Sequence, residues 1–264
     1  MVKRFKIKVY AFLIKTIGKL SQGIRIASKH GLTSGKMLEY VYDNKPEGYF
    51  FIGKWIDRIY LNHPDWEAVR ERKNNVKFYI KEAILDNRKK GISTRILDIA
   101  AGYARYIREA LCEVGADDVE VVCVDLEEKY VKEVKEKFKK YNINISYKQG
   151  NAFDKKFLSS FPSFNVIISS GFYDWIMEDR DVLRSIEIVY SILQEDGVFI
   201  LTGQARHPNL ELVSHAFVDF KKQPLKMKMR KPELMIKFLK EKGFSDTEIK
   251  VDKWGYYYTI RGRK

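Results

Sequence analysis

The chain has 264 residues, 45% of them hydrophobic and 32% charged, which supports a substantial core in one large domain or a domain with an appendage and excludes disorder and fibre. Its formal net charge of +14 favours nucleic acid, anionic lipid or an acidic small molecule as partner, without choosing among them. Two cysteines, Cys112 and Cys123, lack C-x-x-C spacing, so no metal or dithiol site is expected and both read as reduced core thiols of a cytoplasmic protein.

From Val2 to about Ile26 the pattern is helical, with Arg4, Lys8, Lys15 and Lys19 in one stripe and Phe5, Val9, Phe12, Leu13, Ile17 and Leu20 on the broad remaining face. So wide an apolar face is expected to pack on protein as a lid, with contact to a membrane surface as the second reading. The early apolar run Val9 to Ile14 is far short of the ~20 residues that cross a bilayer. Lys15 and Lys19 also break the signal-peptide pattern. Between Gly31 and Gly53 the turn residues around Asn44, Pro46 and Gly48 predict a loop. A second helical region, Lys54 to Leu85, carries Trp55, Ile59, Trp66, Val69, Val76 and Ile80 on an apolar stripe and breaks at His63-Pro64. Asp86 to Gly91 reads as a charged linker, placing the boundary between an N-terminal helical cap, 1–92, and a second domain, 93–264.

Beyond Ser93, short apolar runs alternate with amphipathic helices. Strands are expected at Arg95–Ile99, Val119–Val124, Ile145–Lys148, Asn165–Ser169 and Val198–Thr202, with helices near Arg105–Val114, Glu127–Tyr141, Asp179–Leu193, Leu210–Phe217 and Pro232–Lys242. This alternation predicts an α/β domain with a parallel sheet. Thr247–Lys253 and Tyr256–Arg261 are too close for a parallel crossover and predict an antiparallel hairpin at the sheet edge.

The first strand ends in Leu97-Asp98-Ile99-Ala100-Ala101-Gly102-Tyr103-Ala104-Arg105. Small residues passing into a helix there allow a polar ligand to approach backbone amides, and Asp98 can accept hydrogen bonds from it. A tight turn with no ligand is the plainer reading. The next strand ends in Asp125, an acid suited to both hydroxyls of a ribose, or to capping the helix that follows. After the third strand, Gln149-Gly150-Asn151-Ala152-Phe153-Asp154 forms a polar and aromatic turn suited to an adenine ring. Three strand ends in register thus offer contacts to one nucleoside ligand.

These motifs resemble the class I S-adenosylmethionine-dependent methyltransferases over residues 93–264, with Ala100 and Ala104 replacing the first and third glycines of the usual D-x-G-x-G-x-G. A nicotinamide-dependent dehydrogenase competes for the same architecture, and the final hairpin favours the methyltransferase. SGKMLEYVYDNKPEG, IGKWIDRIYLN, WEAVRERK, SGFYDW, TGQARHPNLE and MRKPELM further resemble a bacterial methyltransferase group sometimes fused to a hydrolase domain. The resemblance implies a Rossmann-like, mostly parallel sheet with S-adenosyl-L-methionine as cofactor. It implies cofactor binding by Asp98, Ala100, Ala101, Gly102, Tyr103, Arg105, Asp125, Leu126, Asn151, Ala152, Phe153, Ser170 and Gly171, and an acceptor that is a small molecule or a lipid head group.

Around the reacting centre, Phe172 and Tyr173 follow the fourth strand, where an aromatic face attracts a sulfonium cation. Tyr173 is expected to be catalytic and Phe172 to be core or site, with Asp174 beside them. After the fifth strand Gln204, Arg206 and His207 cluster, and His207 has the proton affinity to deprotonate an amine or hydroxyl. Tyr42, Asn44 and Arg70, with Tyr40 and Arg72 nearby, are expected to recognise substrate, alongside Tyr173, Gln204 and His207. The run Lys221–Lys231 reads as a solvated face or a site for an acidic substrate or anionic lipid. Two other functions stand beside methyl transfer. One is an enzyme that cyclises the cofactor or transfers its aminopropyl group, releasing methylthioadenosine; the other is a non-catalytic nucleic-acid or membrane module. The dispersed charge disfavours nucleic acid.

Overall fold

The computed structural model describes residues 2–219, 222, 223 and 225–264; Lys221 of the basic run lies outside them. The first part of the chain forms α1 (Val2–Lys15), α2 (Gln22–His30), α3 (Gly35–Asp43), α4 (Phe50–Leu61) and α5 (Pro64–Lys89). There follow β1 (Thr94–Ile99), α6 (Arg105–Val114), β2 (Val119–Asp125), α7 (Lys129–Lys139), β3 (Ser146–Gln149), α8 (Lys155–Leu158), β4 (Phe164–Ser169) and α9 (Asp179–Ile192). The chain ends with β5 (Leu193–Gln204), α10 (Leu210–Ala216), α11 (Pro232–Glu241), β6 (Ser245–Val251) and β7 (Tyr257–Arg263). Among the described residues no helix is long and apolar enough to cross a membrane.

Two compact units divide the chain, Met1–Glu71 with Arg206–Met227, and Arg72–Ala205 with Lys228–Lys264. The division falls inside α5 and not at 92/93. Its cause is that Val76, Tyr79, Ile80, Ala83 and Ile84 are buried in the same core as sheet residues Ile96, Val121 and Val166. The expected linker is likewise helical as far as Lys89.

In the second unit the strands order as β3-β2-β1-β4-β5-β7-β6. β1 to β5 pair in parallel, and β7 lies antiparallel to both β5 and β6. Side chains of a strand alternate between faces, and here both faces are buried. Ile96, Val121, Cys123, Val166, Ile168, Val198 and Ile200 enter one core; Leu97, Val122, Val124, Ile167, Phe199 and Leu201 enter the other. That explains the near-continuous apolar runs of these strands. Strand order reverses between β1 and β4, and such a switch point opens a crevice at the carboxyl ends. Cys123 is buried as expected, whereas Cys112 is exposed.

The first unit departs further from expectation. The N-terminal helix is not continuous to Ile26: a 3-10 turn at Ile17–Leu20 divides α1 from α2, and the Ser21 side chain caps α2 by accepting from Ile24 N. The stretch read as a loop contains α3, capped by Ser34, and Asn44 closes that helix in the left-handed conformation. α1 packs on α10 with Ala11 buried, while Phe5, Val9, Phe12, Leu13 and Ile17 are exposed. The broad apolar face expected to close on protein therefore faces outward. Trp55 and Ile59 are exposed too, unlike Val69, Val76 and Ile80.

Candidate active site

The carboxyl ends of β1 to β4 gather the site, all within the second unit. Ala100, Gly102 and Ala104 all stand at positive φ, +57°, +53° and +45°, so the turn keeps the backbone of a glycine loop with alanine at two of three places. Ala101 N donates to Val124 O, and Ala104 N returns to Ala101 O. Gly102 is held from both sides: its amide donates to Asp125 Oδ2 at 2.9 Å and its carbonyl accepts from the Tyr147 hydroxyl at 2.8 Å. A Cβ at Gly102 would meet nothing within 4 Å. The loop is thus rigid underneath and open above, a cradle for a ligand.

Asp125 holds Gly102 N with one oxygen and Glu127 N with the other, at 3.0 Å. A carboxylate offers about four acceptor positions, which suits it to position the loop and receive ribose hydroxyls together. Its second bond forms an Asx turn before α7, so the capping alternative is also realised in part. Beside it Leu126 is 58% exposed, an apolar side chain available to a flat ring, and its carbonyl accepts from Gln149 Nε2 at 3.1 Å. On the next strand end Asn151 Oδ1 accepts from Phe153 N, Ala152 is buried, and Phe153 packs on Phe172 with centroids 5.6 Å apart. This pair joins the turns after β3 and β4. Gly171 N donates to Thr202 Oγ1 at 2.8 Å, and Ser170 beside it is half-buried.

Three residues expected at the cofactor are instead engaged by the protein's own side chains. Asp98 is fully buried and both its oxygens accept from the Tyr106 hydroxyl, at 3.0 and 2.8 Å. Burial pushes its carboxyl well above the usual range, the Tyr106 bond pulls it partway back, and the charge of Asp125 adds to the rise. Asp98 supports the loop through α6. Tyr103 directs its ring at α7, donating to Glu133, lying edge-on to Tyr130 and sitting under Lys137. Arg105 is paired with Glu109 at 2.8 Å, an acid it shares with Lys73.

Tyr173, expected to be catalytic, is also turned into the core. It is 1% exposed, its hydroxyl bonds Ser185 of α9 at 3.2 Å, and burial raises its proton affinity. It is a core residue, and Phe172 is the half-exposed ring at the strand end. The adjoining groups were only partly legible in sequence. Asp174 Oδ1 accepts from Gln204 N at 2.8 Å; burial pushes its carboxyl up to about 6, against the pull of Arg72, the Gln204 amide and Arg230. The Arg72 guanidinium lies 3.5 Å from where a Gly171 Cβ would stand and 4.7 Å over the Tyr257 ring. Gln204 is 2% exposed, and its Oε1 finds no hydrogen-bond partner among the described residues. Ser169 Oγ, Tyr258 Oη and Thr259 Oγ1 of the same unit share this state, so the end of β5 holds several buried polar atoms with unused hydrogen-bonding capacity.

Arg230, in the basic run, is buried: it donates to the carbonyls of Tyr173 and Ile176 at 2.8 and 2.7 Å and to Asp179 at 2.9 Å. Lys228 pairs with Asp179 as well. Neither belongs to a solvated basic face; they pin the turn after β4.

Tyr42, Asn44, Arg70 and His207 belong to the first unit. Arg70 donates to Leu61 O at 2.9 Å and Val41 O at 3.4 Å, a brace between helices; burial lowers its proton affinity, opposed by Glu67. Asn44 is the helix end already described, and Tyr42 on α3 is half-buried. The His207 side chain is 9% exposed with Nδ1 4.0 Å from Asp65 Oδ2, whose Oδ2 accepts from Asn209 at 3.1 Å. Burial lowers the proton affinity of His207, opposed by Asp65 and reinforced by His63.

Comparison with known proteins adds the following. The family described as "Putative methyltransferase" matches residues 2–262. A protein of Escherichia coli strain K12, "Uncharacterized protein YnbC", is 32% identical over 248 residues, covering 92% of this chain, which spans 42% of that relative's length. Among solved structures, a possible exported protein from Bordetella parapertussis aligns over 98% of this chain and 93% of its own at 13% identity, with a TM-score of 0.71. The magnesium protoporphyrin IX methyltransferase of Synechocystis PCC 6803, solved with bound SAH, aligns over 95% and 99% at 13% identity, with a TM-score of 0.57. At such identities the two structures speak for the fold.

Proposed function

The chain belongs to this methyltransferase family and carries the class I S-adenosylmethionine-dependent methyltransferase fold, and from that premise we propose that it methylates a nitrogen or oxygen of a small molecule or lipid head group. The observation that carries the proposal is the open Gly102 cradle tied to Asp125. When bound, S-adenosylmethionine supplies a methyl group already activated on a sulfonium. The residues present fit it. Ala100, Ala101 and Gly102 would receive the amino-acid part against backbone, Asp125 would accept from the ribose, Leu126, Asn151, Ala152 and Phe153 would border the adenine, and Ser170 and Gly171 would border the methyl-bearing end. The Phe172 ring favours a nearby cation by ~0.5–2 kcal/mol. Gln204 Oε1, one of several buried acceptors of this unit without a hydrogen-bond partner, would accept from the N–H or O–H of the acceptor. Most of the rate then comes from alignment.

Incubation with S-adenosylmethionine and a panel of amines, alcohols and phospholipids tests the reading. Acceptor-dependent S-adenosylhomocysteine supports it; methylthioadenosine, with or without acceptor, would assign the chain to cyclisation or aminopropyl transfer instead. Gln204→Leu is expected to raise the acceptor KM by roughly 10-fold or more while leaving cofactor affinity unchanged, as loss of one buried hydrogen bond implies. An unchanged KM removes Gln204 from acceptor recognition.

A further inference from the structure

The first unit exposes two apolar ridges. On α1, Phe5, Val9, Phe12 and Leu13 are 69%, 40%, 64% and 41% exposed, and helical geometry places them within about 100° of arc. Lys8 and Lys15 border this ridge on one side and Lys6 on the other, while Ala11, opposite, is buried. On α4, Phe51, Ile52, Trp55 and Ile59 are 85%, 62%, 57% and 53% exposed. Lys54 and Arg58 run along that ridge, and the opposite side, with Gly53, Asp57 and Leu61, is buried. The 3-10 turn packs on both helices, and Tyr49 N donates to Leu20 O at its end. Ile17 and Tyr49, 58% and 57% exposed, carry the apolar surface between the helices.

Exposed patches of this extent mark a contact, and the charge decides its kind. Residues 1–38 contain nine Lys and Arg and no Asp or Glu. The single acid of α4, Asp57, is fully buried. A second copy on this face would bring lysines against lysines, and the cores of protein interfaces are depleted in lysine. Apolar ridges flanked by cations, with Tyr10, Tyr49 and Trp55 exposed among them, match a helix lying in the plane of a lipid head-group layer. Phe50, 85% exposed at the start of α4, is held at φ +53°, a backbone state that strains a bulky residue. The turn thus presents Phe50 and Phe51 outward instead of folding them in.

We propose that α1 and α4 dock this protein on an anionic bilayer surface, with their apolar ridges at the acyl boundary and the flanking lysines on lipid phosphates. The proposal holds whatever acceptor is methylated. Co-sedimentation of the full chain tests it, with vesicles of equimolar phosphatidylcholine and phosphatidylglycerol against phosphatidylcholine alone. Partition at least ~10-fold stronger onto the anionic vesicles, weakening with salt, is expected. The variant Phe12→Ser/Phe51→Ser/Trp55→Ser should lose most of that partition with its melting temperature and S-adenosylmethionine affinity unchanged. Lys6→Gln/Lys8→Gln/Lys15→Gln should lose the preference for anionic lipid. Absence of vesicle binding by the unaltered chain, equal binding by the serine variant, or dimerisation in solution that these serines abolish in place of vesicle binding would each overturn the proposal. Retained cofactor binding in all three proteins separates its failure from that of the methyltransferase reading.

Discussion

Ala100 and Ala104 hold positive φ in the turn where the family pattern has glycine, and an L-residue there is strained by about 1–2 kcal/mol. Ala100→Gly or Ala104→Gly should therefore stabilise the protein by on the order of 1 kcal/mol, visible as a rise of a few degrees in melting temperature; a fall would mean the alanine methyl groups contribute packing that outweighs the strain. Asp174 supplies a pH prediction. Its carboxyl titrates near 6 when folded and near 4 when unfolded, so the native state holds the proton more tightly. Its contribution is greatest below about pH 4 and falls as pH rises to about 6, a loss on the order of 3 kcal/mol. In Asp174→Asn that slope disappears, so stability relative to the unaltered protein should climb between those pH values and level off above them; parallel thermal unfolding series read it, and identical slopes contradict it. At this scale the sequence located the turn after β1 and the acid that ends β2, which the structure joins through the Gly102 amide and Asp125. Sequence reading failed at Tyr173, Tyr103 and Asp98, because composition does not tell which way a side chain turns from a strand end.

Among the elements, the helices α2, α3 and α4 meet on one buried carboxylate. Asp57 accepts from the Ser21 hydroxyl at 2.5 Å, from Gly23 N and Glu47 N at 2.9 Å, and from the Tyr40 hydroxyl. Removing it leaves several buried donors unsatisfied, each costing ~1–3 kcal/mol. Asp57→Ala is expected to destabilise by on the order of 4 kcal/mol in urea unfolding, and a loss below about 1 kcal/mol would show that these donors find other partners. Nothing in the spacing of Ser21, Tyr40, Glu47 and Asp57 announced this hub, since it is assembled from four separate segments. The central strands β1, β2, β4 and β5 were legible because burial on both faces writes apolar runs between turns. α3 was not, because Asn44, Pro46 and Gly48 dominate its surroundings and its own start rests on a single serine cap.

At the level of the whole molecule, the net charge of +14 divides by use. Arg72, Lys73, Arg105, Lys228 and Arg230 are engaged within the second unit, whereas the lysines of α1 border exposed apolar ridges. The sheet order and family membership point to S-adenosylmethionine binding, and Asp125, which holds the Gly102 amide, is the acid proposed to receive the ribose. Titration calorimetry with S-adenosylmethionine on the unaltered chain and on Asp125→Ala tests it most directly. Saturable one-site binding is expected, weakened about 10- to 100-fold by the substitution, as loss of a charged hydrogen-bonding partner worth ~1.5–3 kcal/mol implies. No binding by the unaltered chain, or equal affinity in the two proteins, would rule out this cofactor site.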